Sequence, residues 1–182
     1  MKIAIMSDSH DRWDYLEKAI GIAYGKGCEL LLFAGDLIAP PGLAILEKFN
    51  NKVKFVWGNN EAEQVGMTRR MDSSEKIDLC GDVYEETVDG VRIFMNHYPR
   101  FIELAAKSGE FDLCIFGHTH EYHNEMIGNC LLLNPGEIQG YRTGTSTFVI
   151  FDTTSKKAEK LIVRRRKDRV EQKLVYSKLH TK

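Results

Sequence analysis

The stretch KIAIMSDSH, residues 2–10, sets the pattern that decides the fold: the apolar β-type run Lys2–Met6 breaks abruptly into Ser7, Asp8, Ser9 and His10. The pattern recurs. Leu30–Phe33 stops at Gly35 and Asp36, and Val53–Trp57 stops at Gly58, Asn59, Asn60 and Glu61. Between these runs the apolar residues change period. Leu16, Ala19, Ile20 and Ala23 follow helical spacing within Trp13–Tyr24, with Asp11 placed to cap the helix and Gly25 and Gly27 to end it. Pro40 and Pro41 then open a short helix carrying Leu43, Leu46 and Phe49. Strand and helix alternating at these lengths predict a parallel sheet of right-handed βαβ units. In such sheets, polar site residues gather beyond the carboxyl ends of the strands. All three strands end in a polar cluster there.

The second half reads as β-rich. Val83–Val88 and Val91–Met95 flank Asp89-Gly90, and Glu125–Ile127 and Cys130–Leu133 flank Gly128-Asn129, two hairpin signals. Phe101–Lys107 reads as a helix closed by Gly109. Leu113–Phe116 reads as a buried strand ending at Gly117, His118, Thr119 and His120. Ser146–Phe151 and Lys160–Arg164 complete the strands. The pattern changes near Gly81 and Asp82, but no linker rich in Pro, Gly or Ser intervenes. The reading is an α/β fold with residues 1–182 as a single domain.

Composition narrows the function classes. A chain of 182 residues can bury a continuous core. A net charge of −1 gives no strong signal for nucleic acid or an anionic membrane surface. No apolar run approaches the roughly 20 residues of a bilayer-spanning helix. The N-terminus reaches acidic residues too soon for a signal-peptide core. Cys28, Cys80, Cys114 and Cys130 are widely spaced with no Cys-x-x-Cys pair, which argues against disulfides and cysteine-rich zinc and for a cytoplasmic setting. Any metal would then be held by nitrogen and oxygen.

Such donors stand at the strand ends: Asp8-x-His10, Asp36, Asn59, His97 and His118-x-His120. Each element alone is weak, but together they take four of the six histidines in the chain. Carboxylates, imidazoles and an amide oxygen suit first-row divalent ions better than calcium or magnesium. Strand alternation would let Asp8 and His10 address one ion from one side. Seven ligands exceed one tetrahedral ion, so two ions roughly 3.5–4 Å apart are the economical solution. Gly35, Gly58 and Gly117 each precede a proposed ligand, where a missing Cβ lets the chain turn sharply.

The order Asp-x-His, Gly-Asp, Gly-Asn-x-Glu, His, Gly-His-x-His resembles the calcineurin-like metallophosphoesterase superfamily, and more closely its small prokaryotic phosphodiesterase branch. The likeness spans Met1 to about Asp152 and includes the Asn134-Pro135-Gly136 turn. It implies a two-sheet β-sandwich flanked by helices in four layers. It also implies one ion on Asp8, His10, Asp36 and His120, and a second on Asp36, Asn59, His97 and His118, with Asp36 bridging. Manganese is the first candidate, with nickel, cobalt, iron and zinc behind it. The expected activity is hydrolysis of a small phosphodiester, with Asp36, Asn59, Asn60 and His97 as catalytic residues. Two divalent ions set against Asp8, Asp36 and a bridging hydroxide leave about one net positive charge for a phosphate.

Three departures matter. Asn60 stands where many relatives place a histidine beside the leaving group, Asn60-Glu61 stands where the small branch often has Cys-Asp, and Pro99 stands where a second histidine follows His97. Asn60 can donate a hydrogen bond but no proton, which predicts a preference for activated or cyclic diesters. The alternative is an interaction scaffold, since the superfamily includes a vesicle-coat subunit with a degenerate metal site. An amidohydrolase barrel would need roughly 250 residues and is discarded.

Other residues read more plainly. His123 is a strand-face residue, and Glu61 either caps a helix or orients the site. Arg164–Lys167 is a solvated strand end. Arg142 could reach a phosphate. Gln64–Leu79, long and polar after Asn59, is the expected specificity segment, and a homo-oligomer is compatible with the sequence.

Overall fold

Each apolar run that ends in a polar cluster becomes a strand, and the helical spacings become the connections. The computed structural model describes residues 1–165. In chain order its first half runs β1 (Lys2–Met6), α1 (Trp13–Gly25), β2 (Leu30–Phe33), α2 (Pro40–Leu46), β3 (Lys52–Phe55), α3 (Gln64–Asp72) and β4 (Ile77–Leu79). The second half runs β5 (Val83–Val88), β6 (Val91–Asn96), α4 (Pro99–Ser108), β7 (Leu113–Ile115), β8 (Tyr122–Ile127), β9 (Cys130–Pro135), β10 (Thr145–Asp152) and β11 (Lys157–Arg165).

Two sheets result. One has the order β11-β10-β1-β2-β3-β4, with β1 to β4 parallel and β10 and β11 antiparallel. The other has the order β5-β6-β7-β9-β8; its two hairpins flank a parallel centre in which β7 lies between β6 and β9.

Strand alternation sorts the apolar residues into three layers of core. Ala4, Met6, Leu31, Phe33, Val53 and Phe55 face Leu16, Ile20, Leu43, Met67 and Met71 of the first three helices. Ile3, Ile5 and Leu32 point the other way and meet Ile93, Met95, Leu113, Ile115 and Leu133 of the second sheet. Cys114, Phe116 and Leu132 emerge on its far side beneath Ile102 and Ala106 of α4. Helices, sheet, sheet and helix therefore stack as four layers. Each large apolar side chain so buried contributes about 1.5–3 kcal/mol, and the layering fixes the sheets so that their strand ends share one rim.

Local departures from the sequence reading have physical reasons. Phe49 lies in the turn beyond α2, yet is fully buried against the same core. Asp11 does not cap α1: the cap residue is Arg12, with no side-chain bond, and Asp11 accepts from the Trp13 indole at 3.2 Å. The polar segment 64–79 is a further αβ unit, seated by Met67 and Met71 and pairing β4 with β3. Its strand is three residues long, too short to show a period. Of the basic run 164–167, Arg166 and Lys167 lie outside the described residues, as does the rest of the expected domain to residue 182.

Candidate metal centre

The proposed ligands lie one to five residues past the strands, and the backbone there is unusual. Asp8, His10, Asp36, His118 and His120 all take positive φ, from 40° to 68°. An L-residue pays of order 1 kcal/mol for that region, and such positions persist only where surrounding contacts dictate them. Asp8 and His10 therefore do not share a side by strand alternation, because β1 has already ended at Met6. Two successive left-handed turns bring them together instead. Backbone bonds lock the turns: Asp8 N donates to Gly35 O at 3.0 Å, and Ser9 N and His10 N both donate to Asp36 O.

The glycines act through contact distance. A Cβ on Gly35 would sit 2.7 Å from Gly58 N and 2.8 Å from His97 Nδ1. At Gly58 it would overlap the Asp36 carboxylate, and at Gly117 the Ser7 hydroxyl.

Asp8, His10, Asp36 and His120 each offer one ligand atom, all within 4.8 Å of one another. Asp36 Oδ2 is 3.3 Å from His10 Nε2, and Asp8 Oδ1 is 3.5 Å from His120 Nε2. The His10 and His120 rings stack, with centroids 5.0 Å apart. Beside this group, His97 Nε2 approaches Asp36 Oδ1 at 3.5 Å and Asn59 Oδ1 at 3.0 Å, and His118 Nδ1 reaches the same amide oxygen at 2.7 Å. Asp8, Asp36, His97 and His120 are buried and form the floor; His10, His118, Asn59 and Asn60 are more open and form the rim.

Protons are arranged so that lone pairs converge. His97 Nδ1 donates to Ala34 O at 2.7 Å, leaving Nε2 as an acceptor opposite two oxygens. His120 Nδ1 faces Glu137 Oε2 at 2.8 Å, leaving its Nε2 for Asp8. Asp8 Oδ1 and His10 Nε2 are buried with no hydrogen-bond partner. Buried acceptors without donors are costly, and a cation removes that cost. The donor set fits a divalent first-row ion.

The Asp8 and Asp36 carboxylates attract positive charge, a proton or a cation, to the site. Burial is the largest influence on His10 and pushes its imidazole down, but Asp8 and Asp36 together hold it above its ordinary value. Burial and then His97 push His118 below its ordinary value, favouring a neutral ligand-competent ring.

Sequence reasoning missed Glu137. Burial raises its carboxyl, but His120 and Thr143 outweigh that and hold it below the usual range. Its other oxygen takes the Thr143 amide at 2.7 Å and hydroxyl at 2.9 Å. The signal available was its place directly after Asn134-Pro135-Gly136. Ser7 was also missed; its hydroxyl donates to Asp8 Oδ2 at 2.6 Å. Glu61 takes the orienting role rather than capping a helix: its carboxylate receives Leu37 N at 3.1 Å and Gly58 N at 2.8 Å, tying the Asp36 loop to the Asn59 loop. Burial pushes its carboxyl up.

Asn60 donates its amide to Asp36 Oδ2 at 2.7 Å, and its backbone N–H reaches Asp36 Oδ1. Pro99 is the first residue of α4 and fixes the turn after His97. His123 lies on β8 with Glu125 Oε2 3.1 Å away, and Arg142 is exposed in the loop before β10.

This arrangement has known counterparts. The family model described as the calcineurin-like phosphoesterase superfamily domain matches residues 1–156. A phosphodiesterase of Methanocaldococcus jannaschii is 32% identical over 165 residues, covering 90% of this chain and 99% of the relative. A solved archaeal phosphodiesterase structure aligns at 33% identity with a TM-score of 0.83, over 89% of this chain and 99% of that one. Vps29 of Chaetomium thermophilum shares the fold alone, with a TM-score of 0.67 at 13% identity over 89% of this chain and 94% of that one. The chain is a phosphoesterase enzyme of the calcineurin-like phosphoesterase superfamily.

Proposed function

We propose that the chain hydrolyses small phosphodiesters at a dinuclear centre. Asp8, His10, Asp36 and His120 would hold one divalent ion, and Asp36, Asn59, His97 and His118 the other. The observation that carries this is the convergence of buried acceptors, with Asp8 Oδ1 and His10 Nε2 unpartnered. When bound, the ions supply Lewis acidity and a deprotonated water at neutral pH, and manganese is the first candidate.

The chain's own residues do the rest. Glu137 and Ala34 O fix the His120 and His97 rings in the tautomer that presents Nε2. The rim residues His118 and Asn60 would face an approaching phosphate, and Asn60 has one side-chain N–H left for its oxygens, its other N–H groups being directed at Asp36. Asn60 carries no transferable proton, so substrates with good or strained leaving groups are favoured over simple alkyl esters.

Four free cysteines support a reducing, cytoplasmic setting. Among the described residues, no helix is long and apolar enough to cross a membrane.

The test is metal analysis of the purified protein, then hydrolysis of an aryl phosphodiester with manganese, nickel, cobalt or zinc. Metal-dependent turnover lost in Asp36→Asn supports the reading. No turnover with any of the four metals would favour the scaffold alternative.

A further inference from the structure

Beside the proposed centre, two arginines from opposite ends of the chain gather on one aromatic ring. The Arg12 guanidinium carbon lies 3.9 Å from the Tyr15 ring centroid, and that of Arg164, on β11, lies 5.9 Å from the same ring. Together with Gly140 and Tyr141 these side chains line a cavity of about 250 Å³.

The cavity is tied to the metal-site loops on both sides. Arg12 is two residues past His10, so their Cα atoms are within roughly 7 Å, and its N–H donates to Ser9 O at 2.8 Å. Gly140 follows Gln139, whose N–H donates to Asp8 O at 3.1 Å. Gly140 has φ of +61°, and a Cβ there would lie 2.8 Å from Ser146 N, so the loop holds this path only with glycine.

Charge in the cavity is unbalanced. Arg12 meets the exposed Asp14 carboxylate at 3.3 Å. Among the described residues, Arg164 has no carboxylate within ion-pair distance. Among the described residues, two guanidiniums against one solvated carboxylate give a positive site. Two guanidiniums lining one cavity suit a phosphate, whose oxygens accept forked N–H donors.

We propose that Arg12, Tyr15 and Arg164 form a subsite for a second phosphate carried on one ester arm of the substrate. The inference rests on the phosphodiesterase reading above, and narrows its substrate class to diesters with a phosphate near the scissile one. A short 5′-phosphorylated oligonucleotide has that chemistry. The Tyr15 ring lies within cation–π reach of both guanidiniums and holds them at the cavity.

The test compares a thymidine dinucleotide carrying a 5′-phosphate with the same dinucleotide lacking it, in the manganese-loaded enzyme. The expected result is a kcat/KM about tenfold higher for the phosphorylated substrate, expressed in KM. That ratio should fall towards one in the Arg12→Gln/Arg164→Gln double variant, and Arg164→Lys should keep part of it. A ratio near one in the wild type, or one unchanged in the double variant, overturns the subsite. Both arginines are on the surface, and thermal melting of the variant checks that it folds. If neither dinucleotide nor an aryl diester is hydrolysed, the phosphodiesterase reading fails separately. Calorimetric binding of the phosphorylated dinucleotide then decides the subsite: weaker binding to the double variant supports it, and equal affinity overturns it.

Discussion

Asp36 is held by Asn60 through two N–H donors, by His10 and by His97. Gly58 leaves no room to spare above it. Gly58→Ala should therefore act on Asp36 and not only on its own loop. The expected cost is about 1–3 kcal/mol of stability from overpacking, with bound metal lost well before the fold; thermal melting and metal stoichiometry on one sample separate the two. Glu137→Gln makes a gentler test. The amide can still meet Thr143, but no longer offers His120 a charged acceptor, so metal affinity should fall roughly 10–100-fold with little change in melting temperature. Unchanged affinity would reduce Glu137 to a buried loop anchor. The types and order of the seven proposed ligands were legible because they break apolar runs. Their left-handed backbone was not, since positive φ on an aspartate or histidine leaves no trace in composition. Glu137 was hidden for a related reason: one acid after a Pro-Gly turn looks like any turn residue until its partner, 17 positions away, is brought to 2.8 Å.

At the scale of elements, the second sheet depends on a splice where β6, β7 and β9 begin. Asp112, just before β7, takes the Arg92 backbone N–H and Nε both at 3.0 Å, while its own carbonyl accepts Leu131 N at 2.9 Å. The Arg92 side chain, then its backbone N–H, hold the Asp112 carboxyl down at about 2, against an ordinary 3.8. A depressed carboxyl stabilises the fold above its unfolded value and loses that contribution as pH falls through the folded one. Asp112→Asn should therefore cost about 1–2 kcal/mol near neutrality. The gap to wild type should narrow as pH drops from about 4 towards 2; urea melts across that range measure it. A gap independent of pH would mean that the carboxylate's charge is not what joins the strands. Most elements were legible from period alone, and both hairpins from Asp89-Gly90 and Gly128-Asn129. The α3–β4 unit was not. Its helix buries only Met67 and Met71 and its strand has three residues, so the parallel sheet's fourth strand resembled a polar loop.

At the scale of the whole molecule, the four layers bring two sheets' strand ends to one rim and leave negative charge buried there. Asp8, Asp36 and Glu137 are fully buried, and their ion-pair partners among the described residues are histidines, never lysine or arginine. Histidine is a weak counter-ion at neutral pH, so a cation from outside would balance the rim. Metal binding should then be a stability term as much as a catalytic one. At about 100 times its dissociation constant, a ligand specific to the folded state adds about 2.7 kcal/mol. For a chain of this size that corresponds to roughly 5–10 °C in melting temperature. Scanning calorimetry of the protein in chelator and then in manganese should show that rise, and Asp36→Asn should abolish most of it. The same melting temperature in both conditions would mean that histidines and backbone donors alone balance the buried carboxylates, and the convergence of acceptors would then need another cause.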